Sequence, residues 1–188
     1  LLKSLEGIFT NNCFANLKAS VLIANKRSFD NDNGPTPELA ELEGKMFSVT
    51  MELPEDGRLN SDQLKRLTGN DMISARKLRQ GLHKFLPTAQ IIIVGNELPS
   101  FYKHDSGIIR RLLVFHFNVE HAKRSKDAKY KQLYKSVPSN PNEFEKKIIA
   151  EAPGIIKLLA EKYIELKEKY NLNIPTSQEC ENAKSSYI

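Results

Sequence analysis

The stretch that decides the fold reading is 90–96, Gln90-Ile91-Ile92-Ile93-Val94-Gly95-Asn96. Its run of aliphatic side chains, closed by a glycine and an amide, has the pattern of a strand covered on both faces in a parallel sheet. A second strand is legible upstream, where Phe47, Val49 and Met51 alternate with Ser48 and Thr50 and the run stops at Glu52-Leu53-Pro54. In open α/β sheets ligands collect beyond the carboxyl ends of the strands. Glu52 and Asn96 both stand at such ends. A carboxylate there can hold a metal-bound water or serve as general base, and an amide can orient that water or a phosphate. Polar residues gather at strand ends in any case, because strand ends meet solvent, and spacing alone leaves both readings open.

Around these strands the chain alternates. Leu1, Leu2, Leu5, Ile8 and Phe9 recur at helical spacing. Residues 29–37 form a polar loop, after which Thr36 as N-cap and Pro37 at the first helical position predict a short helix ended by Gly44. Asn60-Ser61-Asp62-Gln63 has the form of a capping box, opening a helix that buries Leu64 and Leu67 and stops at Gly69. Met72–Leu78 and Leu82–Leu86 predict a hairpin around Arg79-Gln80-Gly81. Residues 99–107 read as loop, Leu112–Phe117 as a further strand that contains His116, and 119–135 as a charged helix. From Pro141 on the pattern is helical, broken at Pro153-Gly154, with an apolar stripe at Ile155, Leu158, Leu159, Tyr163, Leu166 and Tyr170 and an i,i+4 pair of Glu165 with Lys169. Thr176 is placed to cap a last helix. The layout predicts an α/β core followed by a helical C-terminal region.

Composition sets outer limits. The 188 residues are 40% hydrophobic and 27% charged, with a mean hydropathy of −0.45. That balance points to a globular domain with a core, and excludes a disordered tail. The longest aliphatic run, Ile91–Val94, is far shorter than the roughly 18 residues of a membrane span, so no membrane partner is expected. A net charge of +5 and an isoelectric point near 9.1 permit a nucleic-acid partner without demanding one. Cys13 and Cys180, far apart and without neighbouring histidines, read as reduced thiols in a cytoplasmic setting.

Basic residues form two groups. Arg110-Arg111, before the strand expected at 112, have the form of a phosphate clamp or arginine finger, although an isolated pair of this kind reads first as two surface arginines. Arg76, Lys77, Arg79, His83 and Lys84 surround the expected hairpin, with Lys103 and His104 further on and Lys65-Arg66 on the capped helix. They can track a phosphate backbone or make a solvated charged face. The mixed-charge runs 123–135 and 157–169 fit a solvated face better. His83, His104, His116 and His121 have no metal-ligand spacing, and no HExxH, GxSxG or GxxxxGK[ST] occurs. Local chemistry reaches a phosphate site and no further.

Taken in order, GPTPELAELEGKMFSVTMELPEDGRLNSDQLKRLTGNDMISAR, IIIVGNELP, SGIIRRLLVFHF, EAPGIIKLL and IPTSQECENAKSSY resemble the superfamily 3 helicase domain of phage and plasmid primase–helicases. The resemblance implies an α/β P-loop NTPase (AAA+-like) three-layer core over 1–118 and a helical C-terminal region over 119–188. It implies ATP and Mg²⁺ as cofactors, with Glu52 as the Walker B acid supporting the metal and the attacking water. Asn96 corresponds to the sensor asparagine near the γ-phosphate. Arg110 and Arg111, the second favoured, fall where the family has a finger acting on the neighbouring subunit's ATP. The stretch carrying Lys65, Arg76, Lys77, Arg79, His83 and Lys84 is similar to the loop that grips single-stranded DNA.

In that family the Walker A loop runs directly into a helix similar to LLKSLEGIF. The resemblance thus implies a core lacking its Walker A strand and loop, and a chain that neither binds ATP tightly nor hydrolyses it until that segment is restored. The implied partners are single-stranded DNA, further copies in a hexameric ring, and a primase domain on the same polypeptide. Two other functions stay open: a non-enzymatic DNA-binding or replisome-assembly module on this scaffold, and an oligomeric ATPase that remodels protein.

Overall fold

The computed structural model describes residues 2–9, 11–23, 36–54, 56–101, 106–117, 140–171, 173 and 175–185. In chain order these form α1 (Leu2–Phe9), β1 (Phe14–Asn16), α2 (Ala19–Leu22), α3 (Pro37–Ala40), β2 (Phe47–Met51), β3 (Arg58–Leu59), α4 (Ser61–Thr68), β4 (Ile73–Arg76), β5 (Leu82–Phe85), β6 (Gln90–Val94), β7 (Ser100–Phe101), α5 (Ser106–Ile109), α6 (Pro141–Ala150), α7 (Ala152–Tyr170) and α8 (Gln178–Ser185). They divide into two units, Phe9–Leu112 and Leu1–Ile8 with Leu113–Tyr187.

The first unit is built on a parallel sheet of order β1-β2-β6. Central β2 pairs Phe47 with Phe14 on one side and with Gln90 on the other, the second ladder running to Met51 opposite Val94. Ser48, Val49 and Thr50 are all buried, as a strand with neighbours on both edges requires. The Thr50 hydroxyl donates to the Leu17 carbonyl at 2.9 Å, which offsets the cost of burying it. β6 pairs with β2 on one edge only among the described residues, and its three isoleucines are half-buried. The sequence expectation of a strand covered on both faces is corrected accordingly: aliphatic runs report β-propensity and burial tendency, not rank within the sheet.

Leu22, Leu42 and Leu59 are fully buried in a core that also takes Leu64 and Leu67 from α4, Ile73 and Ala75 from β4, Phe85 from β5 and Ile108 from α5. α4 starts at the expected cap, but not as a full capping box: the Asn60 N–H donates to the Leu22 carbonyl at 2.7 Å instead of to Gln63. Asn60 Oδ1 accepts from the backbone N–H groups of Asp62 and Gln63, both at 3.0 Å. It ends at Gly69, where a Cβ would stand 2.5 Å from the Lys65 carbonyl oxygen. Gly44, at φ +70, ends the turn after α3 in the left-handed region that glycine adopts freely. Thr36 does stand at the N-cap of α3, but its hydroxyl makes no cap bond; it accepts from the Arg76 backbone N–H at 3.0 Å. The span expected as loop over 99–107 contains β7, paired in parallel with β3, and the start of α5.

In the second unit a Cβ on Gly7 of α1 would overlap Cδ1 of Ile149 on α6, so a side chain there would require Ile149 to turn away. The helical break falls at Glu151, and Pro153-Gly154 lie inside the first turn of α7, where proline costs no hydrogen bond. Of the expected α7 stripe, Ile155, Leu166 and Tyr170 are half-buried and Leu158, Leu159 and Tyr163 exposed. Glu165 bonds Lys162 at 2.6 Å rather than Lys169. Ser177, not Thr176, caps α8, accepting from the Cys180 N–H at 3.3 Å, while Thr176 donates to the Glu181 carboxylate. Residues 113–117 form no strand, and Leu113, Phe115 and Phe117 are 56%, 67% and 82% exposed. His116 is exposed with them rather than packed in a strand. Alternation alone does not make a strand; it needs a neighbouring backbone. The helix expected at 119–135, Lys103, His104, His121 and most of the 29–37 loop lie outside the described residues. No described helix is long and apolar enough to cross a membrane.

Candidate functional site

The carboxyl ends of β2 and β6 are adjacent because the two strands pair in parallel and in register. Glu52 follows Met51 directly, and Asn96 follows Val94 after one glycine. The ladder continues one step past the strand: the Glu52 N–H donates to the Val94 carbonyl at 3.2 Å. Glu52 takes φ 55, a left-handed conformation that costs a non-glycine residue free energy and turns the chain sharply out of the sheet. Both residues are exposed. The two polar groups singled out from sequence therefore stand on neighbouring strand tips.

Among the described residues no three His, Cys, Asp or Glu side chains gather as a protein-made metal cage would require. Glu52 alone is a single carboxylate donor. That fits Mg²⁺, which commonly takes one or two carboxylates and draws its remaining ligands from phosphate oxygens and water.

Arg110 and Arg111 lie at the end of α5, not at the head of a strand as their sequence position predicted. The Arg110 and Arg111 N–H groups donate to the carbonyls of Ser106 and Ile108, continuing the helical turn. The Arg111 guanidinium bends back, its Nη1 donating to the Gly107 carbonyl at 2.7 Å. Among the described residues no hydrogen bond or ion pair joins either arginine to Glu52 or Asn96.

The hairpin of β4 and β5 forms as the sequence predicts, pairing Ile73 with Phe85 and Arg76 with Leu82. Strand periodicity then sorts the basic residues. Ala75 and its partner His83 share a face with buried Ile73 and Phe85, and the His83 and Phe85 rings stack at 5.7 Å. Arg76 and Lys84 occupy the opposite, exposed face. Arg79, at φ 60, forms the tip. Lys65 is on α4, 3.9 Å from Asp62. The basic group is thus distributed over two hairpin faces, a tip and a separate helix.

Two residues whose part in it the sequence did not show, Thr36 and Glu43, organise this hairpin. Thr36 and Arg76 exchange bonds, Thr36 N–H to the Arg76 carbonyl at 2.9 Å and Arg76 N–H to the Thr36 hydroxyl. Glu43, in the turn before β2, places one carboxylate oxygen 3.2 Å from His83 Nε2 and 3.9 Å from Lys77 Nζ. Both contacts join residues about 40 positions apart in the chain, and no local pattern announces them.

No family model matches this chain. Over 119 residues, 63% of its length, the chain is 32% identical to a protein of Acanthamoeba polyphaga mimivirus named "Putative helicase L207/L206". The matched stretch is 12% of that protein, so the chain spans a small part of the relative it matches. At the level these findings reach, this is a mixed α/β chain with a parallel sheet and a distant sequence similarity to a helicase.

Proposed function

We propose that this stretch is the ATPase and DNA-engaging part of an ATP-dependent DNA helicase of the superfamily 3 type, acting in DNA replication. The observation that carries the reading is the carboxylate of Glu52 and the amide of Asn96 at adjacent tips of one parallel sheet. The similarity to a helicase supports it. In this reading residues 1–118 are a P-loop (AAA+-like) core and 119–188 a helical C-terminal region.

Bound ATP with Mg²⁺ supplies an electrophilic γ-phosphoryl group whose developing charge the metal neutralises. Glu52 accepts a proton from the attacking water, and Asn96 holds that water or a phosphate oxygen in line. Arg110 or Arg111 of a neighbouring copy stabilises charge on the transferred group, which requires a ring, six copies in the proposed form. The hairpin basic residues Arg76, Lys77, Arg79, His83 and Lys84, with Lys65, track single-stranded DNA, and a primase domain acts on the same polypeptide. No GxxxxGK[ST] occurs in these 188 residues. The phosphate cradle of this reading has to be added to them before ATP is bound tightly.

The basic hairpin of β4 and β5 also serves a second reading, a DNA-binding or replisome-assembly module that uses no ATP. One experiment separates the two. In the full polypeptide containing this stretch, Mg²⁺-dependent ATP hydrolysis stimulated by single-stranded DNA is expected, and Glu52→Gln abolishes it. DNA binding without any hydrolysis would select the second reading.

A further inference from the structure

The Glu43 carboxylate stands between two basic side chains of the hairpin, Nε2 of His83 on β5 and Nζ of Lys77 just beyond β4. Glu43 belongs to neither strand; it reaches the hairpin from the turn that follows α3. His83 Nε2 is buried and forms no hydrogen bond among the described residues, although the Glu43 carboxylate stands 3.2 Å away. Lys77, at 3.9 Å, is held at the outer limit of an ion pair. Both Lys77 and Glu43 are about half exposed, 47% and 46%, so solvent screens their attraction. The carboxylate therefore covers one ammonium and one imidazole through contacts weak enough to exchange.

We propose that Glu43 is an internal competitor for the phosphate backbone of single-stranded DNA. It occupies Lys77 and His83 when no strand is bound and yields them when one is. This rests on the reading of the hairpin as a DNA-binding element. Lys84 on the outward face and Arg79 at the tip make first contact, both exposed. Lys77 and His83 join once a phosphate oxygen replaces the carboxylate. The consequence is a shallower grip. A strand that must move along the protein cannot be held by every basic group at once, and Glu43 returns two of them to an internal partner each time a phosphate leaves. Binding strength and salt dependence both follow the number of phosphates neutralised.

The test measures binding of a fluorescent oligothymidylate to the full polypeptide across a salt series. Glu43→Gln keeps the side chain's shape and removes its charge. Its affinity is expected to rise about three- to tenfold at low salt, and its salt slope to steepen by about 0.7 for each cation released. In a Lys77→Ala, His83→Ala background the same substitution is expected to change nothing, because the released groups are gone. Glu161→Gln on α7 alters net charge equally and is expected to leave both quantities unmoved. If Arg79→Ala weakens binding but Glu43→Gln changes neither affinity nor slope, the competitor is overturned and the DNA-binding reading stands. A gain that persists in the Lys77→Ala, His83→Ala background also overturns it, as a general charge effect. If neither wild type nor Glu43→Gln binds the oligonucleotide at low salt, the DNA-binding reading fails first, and the competitor with it.

Discussion

The backbone N–H of Glu52 donates to the carbonyl of Val94 at 3.2 Å, one residue past the end of β2, while Glu52 itself turns into the left-handed region at φ 55. A strand that simply ended would leave this amide to solvent. Here it is tied to the neighbouring strand, so the Glu52 Cα is fixed relative to β6 and to the Gly95-Asn96 step that follows it. Strained backbone conformations persist where the surroundings over-determine them, and they concentrate at functional sites.

Glu52→Gln and Asn96→Ala are expected to separate chemistry from folding. Both side chains are exposed, so neither variant should shift the unfolding midpoint. In the full polypeptide Glu52→Gln is expected to lower the ATP turnover rate by roughly 10²- to 10⁴-fold, the usual contribution of a general base, with nucleotide binding retained. Steady-state hydrolysis beside a fluorescent-nucleotide titration checks both halves. Wild-type turnover by Glu52→Gln would remove the base from the mechanism.

Two hydroxyls on β2 should respond in opposite ways. Ser48 and Thr50 are both fully buried, but Thr50 donates to Leu17 while Ser48 Oγ has no hydrogen-bond partner among the described residues. Thr50→Val is expected to cost about 1 kcal/mol or somewhat more, since the Leu17 carbonyl also loses its partner. Ser48→Ala is expected to be neutral or stabilising by up to about 1 kcal/mol, because it removes a buried polar atom that is not bonded. Urea unfolding of the two variants decides it; a large loss for Ser48→Ala would show that its hydroxyl is satisfied after all.

Asn60 closes the first turn of α4 with two backbone bonds, and α4 delivers Leu64 and Leu67 to the core. Asn60→Ala should destabilise the protein by about 1 kcal/mol, and Asn60→Ser or Asn60→Asp should recover most of it. Equal losses for all three would mean that the position acts through something other than the cap.

The pair of Lys18 with Glu38, 2.8 Å apart, gives a pH dependence whose sign is fixed. The hydrogen bond from Lys18 holds the Glu38 carboxyl below its ordinary 4.5, and the bond to Glu38 holds the Lys18 ammonium above its ordinary 10.5. The carboxylate's contribution is therefore present above pH 4.5 and lost as pH falls through its lowered value. The ammonium's is present below pH 10.5 and lost as pH rises through its raised value. Glu38→Gln should be less stable than wild type between those limits, with the gap closing towards acid and shrinking in high salt because Lys18 is mostly exposed. Thermal melts of both proteins at neutral and acid pH measure it. A gap that widens towards acid would contradict the pairing.

What could be read without coordinates was local. The cap at Asn60, the stop at Gly69, the hairpin around Arg79-Gln80-Gly81, and the two strands ending at Met51 and Val94 each depend on residues within a few positions of one another. Hydrogen bonds over two to four residues and periods of 2 or 3.6 leave a direct imprint on the order of side chains. Tertiary structure decided the rest. It made β2 the centre and β6 an edge, left 113–117 unpaired despite its alternation, and set Arg110 and Arg111 on the end of a helix. It also brought Thr36 to Arg76 and Glu43 to Lys77 and His83. Sheet rank, burial and charge pairing depend on which distant segment becomes the neighbour, and that choice is made by the free energy of the whole core rather than by any short window of sequence.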